Sequence, residues 1–199
     1  MDIVVSICIG VGLSAACGFR VFVPMLVMSV AAMTGAYTPS ADFAWLGSYP
    51  AVLAFGLATT VEIGGYYIPW VDNLLDTIAL PASAVAGTIC TASAVTDMSP
   101  LMTWSVAIIA GGGSAAAIQG LTTVVRGAST ATTGGLGNPV VSTMEAVAST
   151  LLSVLAIVIP ILAMLMLATL VYFSIRTIRR WRRRRAERAA ALASRAGPG

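Results

Sequence analysis

Three stretches of this chain are almost free of charge, and their length decides what the chain can fold into. Residues 3 to 33 hold one charge, Arg20, while residues 101 to 125 and 146 to 175 hold none. A helix needs about 20 apolar residues to cross the hydrocarbon core of a bilayer, so each run is long enough. Charged residues are only 10% of the 199, against roughly 25% in a soluble domain. The expected fold class is an all-α integral membrane protein with five or six membrane segments, some of them broken or kinked.

Two of the runs are too long for one straight span. Residues 3 to 35 would make a helix of about 50 Å, well beyond a core of roughly 30 Å. Gly18, Arg20 and Pro24 interrupt it in "CGFRVFVP", where a kink or a break is expected. A polar connection follows from Gly35 to Pro50, with Trp45 and Tyr49 as interfacial anchors. A second span starts after Pro50, a third covers about Ile78 to Val95, and a fourth covers Leu101 to Val125. The Gly/Thr/Ser-rich "RGASTATTGGLGNP" reads as a mobile connection. In the last apolar region, Val140 to Ile175, Pro160 is the dividing point.

The two halves share landmarks. "GLSAACGFRVFV" (12 to 23) and "GGSAAAIQGLTTV" (112 to 124) share Gly12 with Gly112, and Ser14-Ala15-Ala16 with Ser114-Ala115-Ala116. Each is followed by a polar connection, an X-Pro start ("YPAV", "NPVV") and then a glutamate, Glu62 or Glu145. The order of the landmarks implies an inverted internal repeat, the plan of many transporters. It divides the chain into residues 1–100, a first membrane repeat, 101–175, a second, and an arginine-rich tail at 176–199.

Charge is distributed very unevenly. The tail holds nine arginines and one glutamate, whereas the first 175 residues hold two arginines and seven acids. Arginines directly after an apolar run put the C-terminus in the cytoplasm, with "RRWRRRRAER" along anionic lipid headgroups. Nucleic acid, the other partner of a basic segment, is disfavoured because the block abuts a span. The final "AALASRAGPG" reads as a disordered end. "LSAAC" at 13 to 17 faintly resembles a lipoprotein cleavage box, but no positive segment precedes it, so residues 1 to 33 are expected to be retained.

The composition also excludes chemistry. With no histidine and no lysine, there are no His-based metal sites or general bases, no Schiff-base lysine and no phosphate-loop lysine. Cys8, Cys17 and Cys90 have no paired spacing, so neither zinc nor a disulfide framework is expected. No metal, no cofactor and no enzyme activity is expected; an intramembrane enzyme would have to use paired acids such as Glu62 and Asp72.

The most unusual stretch is "TVEIGGYYIPWVDNLLD", residues 60 to 76. Were the helix continuous there, Glu62, Tyr66, Pro69, Asn73 and Asp76 would line one face. Asn138, Ser142, Glu145, Ser149 and Ser153 do the same in the second half, and Ser105, Gly112, Gln119 and Arg126 recur every seven residues. An ionisable group inside a span costs about 2.5–3.5 kcal/mol even on insertion scales, so it needs a partner or a wet cavity. Arg20 is expected to meet Glu62 and Glu145, one from each half. Asp72 and Asp76 are expected near headgroups, beside Trp70. Gly64, Gly65 and Pro69 can unwind the helix, whereas "GGGSAAA" at 111 to 117 reads as a packing face. The candidate pathway residues are Arg20, Glu62, Tyr66, Tyr67, Asp72, Asn73, Asp76, Gln119 and Glu145. Pro24 and Pro160 join Gly64, Gly65 and Pro69 as helix breaks.

Two runs carry a family resemblance. Gly18, Phe19, Arg20, Phe22 and Pro24 form one; Glu62, Tyr67, Ile68, Pro69, Trp70, Asp72, Asn73 and Asp76 form the other. With them the chain resembles, over roughly residues 5 to 170, a bacterial membrane family known as domain of unknown function 4126. The resemblance implies a bacterial inner-membrane protein, and it supplies no activity and no substrate. The expected function is a small transporter or channel for an ion or small solute, proton- or cation-coupled and homo-oligomeric. The alternative is a non-transporting scaffold or assembly factor that recruits partners through its basic tail and helix faces.

Overall fold

Prolines place most of the helix starts. In the computed structural model, which describes residues 2–195 without the side chains of Pro69, Ile178 and 181–195, all regular structure is helical. After α1 (Ile3–Cys17) and α2 (Phe22–Met33) comes a 3-10 turn, Ala41–Gly47. Next are α3 (Tyr49–Gly65), α4 (Pro69–Ala94) and α5 (Pro100–Val106). A π-helical segment, Ala107–Gly112, joins α5 to α6 (Gly113–Thr133), and α7 (Asn138–Val158) and α8 (Pro160–Arg195) follow. Pro50, Pro69, Pro100, Pro139 and Pro160 each stand first or second in their helix, where a missing N–H costs nothing.

Pro24 does not break its helix. It lies in the first turn of α2, where N–H groups have no intrahelical acceptor in any case. The interruption falls just before it, at Gly18–Val21. Pro69 and Pro160 do mark breaks: the chain leaves the helix at Tyr66–Ile68 and again at Ile159. The stretch read as a mobile connection is mostly helix. α6 runs on to Thr133 and ends on Gly134, whose φ of 64° is the left-handed conformation glycine accepts most readily. α8 likewise continues to Arg195, where an irregular end was expected.

Among the described residues, four helical stretches are long and apolar enough to cross a membrane: Trp70–Ala94, Pro100–Thr133, Asn138–Val158 and Pro160–Thr177. The 3-10 turn and α3, bent by 68°, make a fifth if they count as one broken span. At 1.5 Å per residue α1 and α2 reach only about 22 and 18 Å, short of the core thickness. Large apolar side chains such as Leu53, Leu57, Ile109 and Leu151 are exposed, as expected where lipid is the solvent. The chain is a membrane protein.

The described chain forms two compact units, with the boundary between Met164 and Leu165. In the first, α1 is the central element: every residue from Ile9 to Cys17 is buried. It is apolar all round, as a helix with neighbours on every side must be, and it packs against α4, α7, α6 and the π-helical segment. Small residues allow this. A Cβ added to Gly87 would lie 2.6 Å from Ala115 Cβ and 3.0 Å from the Gly111 carbonyl oxygen. Ser14 donates to the Gly87 carbonyl and its hydroxyl lies 2.8 Å from that of Thr91. Cys17 and Cys90 meet in this core with their sulfurs 3.6 Å apart. The second unit is the remainder of α8.

Candidate functional site

The helix breaks bring the charged side chains of the first unit together. Arg20 occupies the link between α1 and α2 and is 1% exposed. Its Nη2 donates to the carbonyl oxygen of Ser142 (2.9 Å) and to the Ser142 hydroxyl, and lies 3.3 Å from Glu145 Oε2. Its Nε and Nη1 have no hydrogen-bond partner among the described residues.

Glu62, in the last turn of α3, takes a different partner from the one expected. Its oxygens accept from the backbone N–H groups of Val21 (2.7 Å) and Phe22 (3.0 Å). The carboxylate therefore caps the start of α2, where unpaired N–H groups and the helix dipole both favour a negative charge. The Arg20 pairing holds for Glu145 and not for Glu62. An N-terminus that no side chain of its own caps is the physical reason.

Arg126 on α6 organises the rest. Its Nε donates to Glu145 Oε1 at 3.0 Å and its Nη2 to Glu145 Oε2, a two-pronged pair whose planar geometry suits guanidinium. Its Nη1 donates to Asp72 Oδ1 at 2.6 Å and lies 3.5 Å from Asp76 Oδ1. Asn138 Nδ2 donates to the other Asp72 oxygen at 3.2 Å. The ring of Tyr66 packs against both cations, 3.8 Å from Arg20 Cζ and 4.2 Å from Arg126 Cζ, a cation–π arrangement. Three carboxylates thus pair with two guanidinium groups, while the fourth, Glu62, is held by backbone.

Asp72, in the first turn of α4, and Asp76 both join Arg126, and Asp72 is only 4% exposed. The one-face stripe from Glu62 to Asp76 is also interrupted, because Tyr66–Ile68 leave the helix. The stripe on α7 stands: Ser142, Glu145, Ser149 and Ser153 are all buried. Tyr67 and Asn73 are exposed rather than buried; the Tyr67 hydroxyl lies 2.8 Å from that of Thr143. Gln119 is buried two turns before Arg126 and joins none of the ion pairs among the described residues.

Arg126 is the residue the sequence reading left out of the site. The seven-residue spacing that ends on it was the available signal, but the Gly/Thr/Ser-rich stretch after it looked like the end of a helix. Beside the network lies a cleft of about 290 Å³, lined by Tyr66, Tyr67, Asp72, Asn73, Thr130 and Asn138 among others. Among the described residues no three acids or cysteines are placed to hold a metal ion. The arrangement can hold protons, exchange ion-pair partners, or contact a small charged solute.

The chain matches no curated protein and no solved structure. Residues 7–180 match the family described as Domain of unknown function (DUF4126), which takes in every residue of the charge network and nearly all of the helices that hold it. The chain belongs to that family.

Proposed function

We propose that this protein is a small transporter or channel of the bacterial inner membrane, passing an ion or small solute by way of the charge network. The carrying observation is Arg20: a guanidinium that is 1% exposed yet leaves two nitrogens without a partner among the described residues. A group fixed there only for packing would have all its donors satisfied, because each idle one costs roughly 1–3 kcal/mol. Ionisable groups held inside a membrane protein commonly line ion or proton paths, and the cleft at Tyr66, Asp72 and Asn138 gives the network an opening. With more acids than bases, the network has room for a proton or a coupling cation.

In this reading the two halves form an inverted repeat around the path. Gly87 supports it, since Ser14 from one shared motif and Ala115 from the other both approach it. The C-terminus lies in the cytoplasm, and Tyr172, Arg176, Arg179 and Arg180, which line one cleft of α8, meet anionic headgroups there.

Flux into proteoliposomes, measured over a panel of inorganic ions and small metabolites, tests the proposal. Wild type should carry at least one of them. Glu62→Gln and Arg20→Ala should each lower that flux at least about tenfold, as loss of an interaction worth ~1.4 kcal/mol would, while remaining folded in detergent. No flux in wild type across the panel would sink the reading.

A further inference from the structure

Two guanidinium groups face three carboxylates in the network. Arg20 pairs with Glu145, and Arg126 pairs with Glu145, Asp72 and Asp76. Glu62 stands apart from this set, since two backbone N–H groups at the start of α2 already answer its charge. Among the described residues the ion-paired set therefore carries one negative charge in excess. Inside a membrane protein an unanswered charge is costly, so the set calls for one more positive charge.

The cleft beside the network has room for it. It holds about 290 Å³, and of the three paired acids Asp72 is the one in its wall. Asp72 uses one oxygen on Arg126 and the other on Asn138. A carboxylate has about four lone-pair sites, so Asp72 can accept a further donor while keeping both partners. The side chains of Asn73, Thr130 and Asn138 add acceptor oxygens to the lining.

Size and lining decide the kind of cation. Ligand cavities begin at about 300 Å³, so this cleft suits a small organic solute and is far too roomy for a bare metal ion. Among the described residues no three acids or cysteines are placed to hold such an ion. Tyr67, Leu136 and Pro139 also line the cleft and offer apolar surface to a short hydrocarbon. An alkylammonium head has three donors and no acceptor, like that of lysine, which matches a lining rich in acceptors next to an excess negative charge.

We propose that the cleft binds a small primary amine in its charged form. The ammonium head lies on Asp72 and the neighbouring amide oxygens, and the short chain lies against Tyr67, Leu136 and Pro139. As the substrate class of the pathway the proposal rests on the function proposed above; as a binding site it stands without it.

The test uses the full chain in nanodiscs at neutral pH, where an alkylamine is charged as lysine is. Binding is read as a shift in Tm at matched ionic strength rather than as flux. Butylamine, butanol and butyrate carry the same chain with a cationic, a neutral and an anionic head. Butylamine should raise the Tm at concentrations where the other two leave it unchanged. Asn73→Leu removes an acceptor that belongs to none of the ion pairs among the described residues. The butylamine concentration needed for the same shift should then rise at least about tenfold, as loss of one hydrogen bond to a charged group requires. Should Asn73→Leu fail to fold, Thr130→Val decides by the same measure. Equal shifts from butylamine and butanol in wild type would overturn the proposal, as would an undiminished butylamine shift in the folded variant. Butylamine binding with no flux of any solute would leave the site standing and remove the transport reading. Flux of another solute without preference for butylamine would remove the site and leave the transport reading.

Discussion

The seam between α1 and α4 and the charge network next to it both bury polar groups, by opposite means. In the seam the groups are neutral and answered across it: Ser14 meets the Gly87 carbonyl and Thr91, and where α7 meets α1, Ser149 likewise donates to the Ala16 carbonyl at 3.0 Å. Glycine and alanine bring the backbones close enough for this, which is how helices hold together where lipid offers no hydrophobic driving force. In the network the groups are charged, drawn from four parts of the chain, and incompletely answered at Arg20 among the described residues. Helix packing alone does not call for that, since a buried ion pair can often be replaced by apolar residues at no loss of stability. The seam is built to stay fixed. The network is built around charges, and Arg20 keeps two donors unused among the described residues.

The sharpest way to break this contrast is at Arg126. Arg126→Gln leaves Glu145, Asp72 and Asp76 facing one another with their main cation gone. Removing one partner of a buried pair costs about 3–5 kcal/mol, so the folded, monodisperse fraction in detergent should fall steeply. Combining it with Glu145→Gln and Asp72→Asn should restore folding without restoring flux. A single Arg126→Gln variant with the Tm of wild type would show that the acids are held by something else.

The seam predicts a smaller loss of another kind. A Cβ on Gly111 would meet the Gly87 carbonyl oxygen at 2.7 Å and the Thr91 side chain as well. Overpacking of this sort costs about 1–3 kcal/mol, so Gly111→Ala should lower the Tm while the flux per folded molecule stays unchanged. Gly113, two residues on, has nothing within 4 Å of its added Cβ. Gly113→Ala should be neutral, or gain up to about 1 kcal/mol from helix propensity. Equal effects at the two positions would mean that α4 and the π-helical segment are not in close contact.

The two regions also differ in how far the sequence announces them. "GGGSAAA" reads as a packing face from composition alone, and it is one, because small residues have few other uses in a span. The breaks at Gly18–Val21 and Tyr66–Ile68 were legible from Gly, Pro and excess length. What periodicity could not reach was the partner of each charge. Glu62 chose backbone N–H groups over Arg20, and backbone groups leave no mark in a sequence. Arg126 was obscured for a different reason: "GASTATT" has weak helix formers, and α6 extends through them nonetheless. Nor did the sequence show that Asp72 is buried while Trp70, two residues before it, is exposed.

The smallest expected effect tests whether Tyr66 belongs to the seam's kind of packing or to the network. Its ring lies within 4.2 Å of both guanidinium carbons. A desolvated cation over an aromatic face is worth about 0.5–2 kcal/mol. Tyr66→Phe keeps the ring and should unfold at the temperature of wild type. Tyr66→Leu keeps the apolar volume but removes the π face from two like charges, and should lose about 1–2 kcal/mol in thermal unfolding. If leucine serves as well as phenylalanine, the ring is only filling space. If phenylalanine already fails, the hydroxyl reaches a solute in the cleft, and Tyr66 belongs to the binding surface as well as to the network.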